Sequence, residues 1–268
     1  MKYFLVFLIF FSLSFASLSK DEVDRPKNNF HVHVGGGFIS KPTYLGSSSR
    51  RFFWFPTVFL NYQDKDKNYL NSFEIFGPQA NLTIIDNNRF SFDLVGEYDF
   101  GRQSGDDNSL TLLEDIDSSY QTGVDFEYKL PYNFSLGTEV VTGVKDFGDQ
   151  IEADFFLSYS HYIWITFDQI FVNKTSLSYQ YGNSDFMNEW FGTPANQKYT
   201  LYKPSSGFYG LTLANKLISP ITERISIVLD VDYQRLIGEA ADSRLVEIQG
   251  SPNQYSIMFV GIFELYSF

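Results

Sequence analysis

Few residues in this chain have both the type and the spacing to do chemistry. His31 and His33 lie two apart. On an extended strand that spacing puts both imidazoles on one face, opposite Phe30, Val32 and Val34, where they could share a metal ion. The sequence offers no third ligand, so no metal site is assigned. The pair is read instead as polar wall residues beside Gly35-Gly36-Gly37. A hydrolytic Ser–His pair would need a nucleophile motif, yet the one other histidine is His161 and no Gly-x-Ser-x-Gly occurs. No catalytic residue and no cofactor site is assigned. The remaining charged groups are carboxylates at alternate positions: Asp93, Glu97, Asp125, Glu127, Asp154, Asp230 and Asp232, with Asp99, Glu139 and Glu152 beside them. Lys129, Lys145 and Lys216 fall on the same face. Such a face would either favour cations along a passage or pair with lysines across strands.

The elements that must position these groups are strands. In Arg224–Leu236, Ile225, Ile227, Leu229, Val231 and Tyr233 alternate with Ser226, Asp230, Asp232 and Gln234. Tyr120, Val124, Phe126 and Tyr128 alternate with Gln121, Asp125 and Glu127, and Phe90–Phe100 repeats the pattern. Each segment therefore carries one greasy and one polar surface. The runs are about 10 to 14 residues long, where globular strands stop near 5 or 6, and a tilted membrane strand needs ~9–11. Twelve strands are predicted: 30–40, 51–62, 69–77, 80–86, 89–101, 118–130, 134–146, 150–162, 167–181, 207–218, 223–236 and 254–268.

Connection lengths sort by parity. Gln63–Asn68, Asn87–Asn88, Pro131–Asn133, Ile163–Thr166 and Ser219–Thr222 are short. Lys41–Arg50, Arg102–Asp117, Gly182–Gly207 and Gly238–Asn253 lie at the other end, and three of them are long. Short inner turns with long outer loops describe an antiparallel up-and-down transmembrane β-barrel, with both chain ends inside. Twelve strands make a narrower barrel than the porins that hold an aqueous channel, which favours a plugged or narrow interior.

Composition agrees with this all-β class. Rings are abundant, with 29 Phe, 18 Tyr and 3 Trp, while the mean hydropathy is −0.16. The net charge of −12 argues against nucleic acid as a partner. With no cysteine, stapled disulfide domains and thiolate zinc sites are excluded. Met1-Lys2, an apolar run to Phe15 and the small residues Ser14 and Ala16 describe a signal peptide over 1–16. A periplasmic segment over 17–29 and a barrel over 30–268 follow it. The expected location is the outer membrane of a Gram-negative bacterium, with its lipid, its lipopolysaccharide and the barrel-assembly machinery as surroundings. The chain ends on Tyr266-Ser267-Phe268, and Tyr266 and Phe268 form a candidate assembly signal. Counting back by two assigns Tyr266, Ile262, Val260 and Met258 to the lipid face, interrupted by Glu264.

Four segments carry a family resemblance. Leu236-Ile237-Gly238-Glu239-Ala240-Ala241-Asp242-Ser243-Arg244-Leu245-Val246-Glu247, with Gly250-Ser251-Pro252-Asn253-Gln254-Tyr255-Ser256, is similar to the closing hairpin of the MipA/OmpV family. Lys41–Ser47 resembles its first loop and Glu189–Ala195 its Tyr-Phe-Gly segment. Leu112–Asp117 resembles a Gly-Leu-Gly-Asp-Ile lead-in to a strand, with Leu113 and Glu114 replacing the glycines expected before Asp115. The resemblance implies an outer-membrane barrel. For the best-known member it also implies a scaffold joining a periplasmic lytic murein transglycosylase to a penicillin-binding protein. The matching segments fall on outer loops, whereas a periplasmic partner would meet the short turns and the segment before Phe30.

Overall fold

A computed structural model describes residues 30–63, 71–144, 149–166 and 169–267. The signal peptide over 1–16, the segment 17–29, Lys145 and Phe268 lie outside the described residues. Twelve antiparallel strands follow in chain order: β1 (Phe30–Pro42), β2 (Arg50–Gln63), β3 (Ser72–Phe76), β4 (Gln79–Asp86), β5 (Phe90–Asp99), β6 (Ser119–Lys129), β7 (Phe134–Gly143), β8 (Ile151–Thr166), β9 (Gln169–Gly182), β10 (Gly207–Pro220), β11 (Ile225–Leu236) and β12 (Asn253–Ser267). Each pairs with its sequence neighbours, and β1 also pairs with β12, so the sheet closes into a barrel without edges. Among the described residues no helix is long and apolar enough to cross a membrane.

Parity decides what each side chain faces. Tyr120, Val124, Phe126 and Tyr128 on β6 are exposed, while Gln121 and Asp125 between them are buried. Outside, aromatic rings pack against one another: Phe38 lies 5.4 Å from Phe52, 5.3 Å from Trp54 and 5.5 Å from Phe259, centroid to centroid. Lipid contact satisfies those rings, and closure satisfies the backbone behind them.

Two expectations need correction. Ile163–Thr166, predicted as a turn, continues β8 to Thr166. On β12 the faces are reversed from Met258 to Glu264, while Tyr266 faces outward as expected. Met258 and Val260 are fully buried and point inward, whereas Ile257, Phe263 and Leu265 are exposed. Both faces of this strand are apolar, so alternation alone cannot orient it. The pairing Ile39↔Met258 and Gly37↔Val260 does so, because Ile39 faces the interior.

The seam between β1 and β12 is tight. A Cβ at Gly35 would stand 2.0 Å from the Gly261 carbonyl oxygen, and one at Gly37 would stand 2.2 Å from that of Phe259. Only glycine lets the two backbones approach so closely. Below the glycines the register slips between Val32 and His33. Leu265 is the extra residue of this bulge, since Val32 pairs with Tyr266 and His33 with Glu264.

Candidate functional site

The interior has two unlike sides. Around the seam it is apolar: Ile39, Phe76, Val228, Met258 and Val260 form a buried cluster, flanked by Phe53, Phe55, Phe59, Ile218 and Ile262. Across the barrel it is acidic. The register sets Asp93 opposite Asp125, Asp125 opposite Glu139 and Glu139 opposite Asp154, a row of four carboxylates across β5, β6, β7 and β8. Like charges directly opposite each other are destabilising. Lysines neutralise other carboxylates of the interior: Lys174 lies 3.5 Å from Glu127, Lys216 lies 3.5 Å from Asp230, and Lys129 meets Asp86. Tyr209 donates to Glu152, and Ser256 donates to Asp232 at 2.9 Å. Between the two sides lies a cavity of about 180 Å³, bordered by Lys41, Asp154, Lys174, Lys216, Asp230 and Asp232.

Of the sequence-derived acidic residues, the structure thus brings Asp93, Asp125 and Asp154 into one row with Glu139. Glu127, Asp230 and Asp232 are held by lysine or serine partners, while Glu97 pairs in register with Gln121. Tyr266 points outward at the inner end of β12 and is largely exposed.

The mouth at the long-loop end is spanned by a cap that sequence reasoning did not foresee. Three short helices build it: α1 (Ser184–Phe191), α2 (Gly238–Ala241) and α3 (Arg244–Gln249). Asn183 caps α1 by accepting from the Phe186 amide at 3.0 Å, and Asp185 sits favourably in its first turn. Phe186, Met187, Trp190 and Phe191 share one face and bury fully. They pack with Ile116 from the β5–β6 loop, Tyr209 and Leu236 from the barrel rim, Ala240 from α2 and Val246 from α3. A second cluster joins Tyr44, Leu110, Leu113, Tyr199 and Leu245. In a ring of twelve, β5 and β6 stand opposite β11 and β12. Contact between their loops therefore spans the mouth.

Polar bonds lock the cap. Arg102 is buried and donates to the Trp190 carbonyl at 2.9 Å; burial pushes its guanidinium pKa down to about 10, against the pull of Glu189. The Ser109 and Tyr44 hydroxyls share a hydrogen bond at 2.9 Å and Tyr199 donates to the Ser109 carbonyl at 2.5 Å. Burial pushes the Tyr199 phenol up to about 12. Arg51 pairs with Asp106 at 2.8 Å, and Ser243 donates to the Phe191 carbonyl at 2.6 Å. The apolar spacing of Phe186, Met187, Trp190 and Phe191 was a helical signal available in the sequence, inside a segment otherwise read as loop.

The profile for MltA-interacting protein MipA matches residues 34–265. The chain belongs to the MipA family. It is thus an outer-membrane-type β-barrel of that family. No curated protein sequence matches it. Among solved structures it is similar to the NanC porin, at 14% identity over 87% of this chain and 100% of the porin, with a TM-score of 0.41. The β domain of the Bordetella autotransporter BrkA is 6% identical over 89% and 100% of the two chains, with a TM-score of 0.45. A Pseudomonas aeruginosa FadL homologue is 8% identical over 89% and 91%, with a TM-score of 0.35. Identities and superpositions of this order say nothing about what the chain carries or binds. The four segments that resemble the family supply Tyr44, Leu113, Ile116, Trp190, Phe191, Leu236, Ala240, Leu245 and Val246, all of them cap core residues. The family resemblance and the cap coincide.

Proposed function

We propose that the chain is a closed, non-catalytic outer-membrane barrel that acts through protein contacts, as a scaffold for a periplasmic lytic transglycosylase and a penicillin-binding protein. In this reading residues 1–16 direct export and are removed, 17–29 lie in the periplasm and 30–268 sit in outer-membrane lipid and lipopolysaccharide after assembly by the barrel machinery. The observation that supports it is the cap, a packed apolar core across the outer mouth, which a conducting pore has no use for. The partner class comes from the family's name, MltA-interacting protein. Partners in the periplasm would meet the inner turns, where Tyr132 and Ile221 are exposed.

The acidic row favours a second reading, a narrow cation-favouring channel. One pair of measurements separates them. Refolded protein in a planar bilayer is expected to give no conductance steps. A photo-crosslinker at Tyr132 or Ile221 is expected to capture the two murein enzymes, and one at Leu201 on the cap is not. Reproducible cation-selective steps that shrink in an Asp125→Asn, Asp230→Asn, Asp232→Asn variant would replace the scaffold with the channel.

A further inference from the structure

At the inner end of the seam the register brings together three groups that lie far apart in the sequence. His31 and His33 point inward from β1, and Glu264 points inward from β12. The His31 Nδ1 stands 3.4 Å from the Glu264 Oε2, and one donor atom from each of the three lies within 4.8 Å of the others. The two imidazoles stack with centroids 6.2 Å apart, and Phe59 packs against His33 at 5.1 Å.

The bulge makes this possible. In an unbroken ladder Tyr266 would follow Glu264 on the inner face, opposite His31. The extra Leu265 turns Tyr266 outward and leaves the small Ser267 opposite His31. A serine rather than a tyrosine therefore faces the imidazole, and the Glu264 backbone amide is tied to the Arg224 carbonyl at 2.8 Å. Bulges commonly re-aim side chains in this way.

We propose that His31, His33 and Glu264 form a divalent transition-metal site that pins the first strand to the last. Two imidazoles and one carboxylate are a zinc-type donor set, which leaves the fourth position to water. Ligand atoms ~2.0–2.1 Å from a tetrahedral zinc stand roughly 3.3 Å from one another. The His31–Glu264 pair is already at that separation. The remaining separations exceed this by at most about 1.5 Å, which side-chain rotation closes. His31 and Glu264 keep 21% and 24% of their side-chain surface exposed, so an ion can reach them from the inner side.

The test is calorimetric titration of zinc chloride into the full barrel, refolded in detergent and stripped with chelator. One equivalent is expected to bind, and the thermal unfolding midpoint is expected to rise with it. His31→Ala and His33→Ala should each weaken binding by at least about 10-fold and abolish the thermal shift. Glu264→Gln should do the same, with the heat-modifiable gel shift reporting that each variant has folded. Should Glu264→Gln fail to assemble, the two histidine variants decide. A folded wild-type barrel that takes up no zinc, nickel or copper overturns the site and leaves a histidine–glutamate contact only. Unchanged affinity in both histidine variants overturns it equally.

Discussion

Leu112 has a backbone φ of 75°, in the left-handed region, with its side chain exposed. That conformation costs an L-residue other than glycine roughly 1–2 kcal/mol, and no burial is recovered here in return. Leu112→Gly is expected to stabilise the folded barrel by about 1 kcal/mol, read as a higher urea midpoint. The wall residues give a sharper contrast. Val124→Arg, Ile227→Arg and Leu229→Arg put a cation against lipid and should each cost roughly 2–4 kcal/mol if the position is at mid-bilayer. Asp125→Asn and Asp232→Asn, on the inner face, should assemble as wild type does. Folded fractions from heat-modifiable migration compare the two sets, and equal tolerance would contradict the inward and outward assignment.

At the level of elements, Asp107 ties the β5–β6 loop to the β1–β2 loop. It accepts from the Ser109 amide at 2.9 Å, from the Ser109 hydroxyl at 2.7 Å and from Thr43 at 2.8 Å. Burial acts to raise its pKa, but these hydrogen bonds outweigh it and hold the carboxyl below the usual aspartate value. A depressed pKa contributes stability above the ordinary value of about 3.9 and loses it as pH falls through the folded one. Hydrogen-exchange protection in residues 103–114, taken relative to the intrinsic rate at each pH, is therefore expected to fall below about pH 4, and Asp107→Ala should show the low protection at neutral pH. The seam offers a second test at this scale. Gly35→Ala places a methyl group against the Gly261 carbonyl, and a lower yield of closed barrel should result.

The strands were legible because each needs only its own alternation: Ile225 to Tyr233 orients β11 without help from a neighbour. The orientation of β12 was not legible, since Met258 and Val260 inside are as apolar as Ile257 and Phe263 outside. Glu264 was visible as an interruption of the apolar positions. Its pairing with His33 was not, because it depends on ring closure and on a one-residue bulge. The cap was hidden for the same reason: Tyr44, Leu113, Tyr199 and Leu245 meet only once four distant loops converge.

For the whole molecule, the balance between cap and lumen decides conduction. If the cap is what blocks the mouth, removing residues 185–205 should give a barrel that conducts where the wild type is silent, and planar-bilayer recordings of both proteins check this. The cap also bears on biogenesis. Its core draws residues from loops on opposite sides of the ring, so the contacts that span the mouth cannot form while the sheet is open. The contacts across the ring knit together only after β1 has met β12. Resistance of the surface loops to external protease would then be a clock for maturation, starting only when the last strand is home.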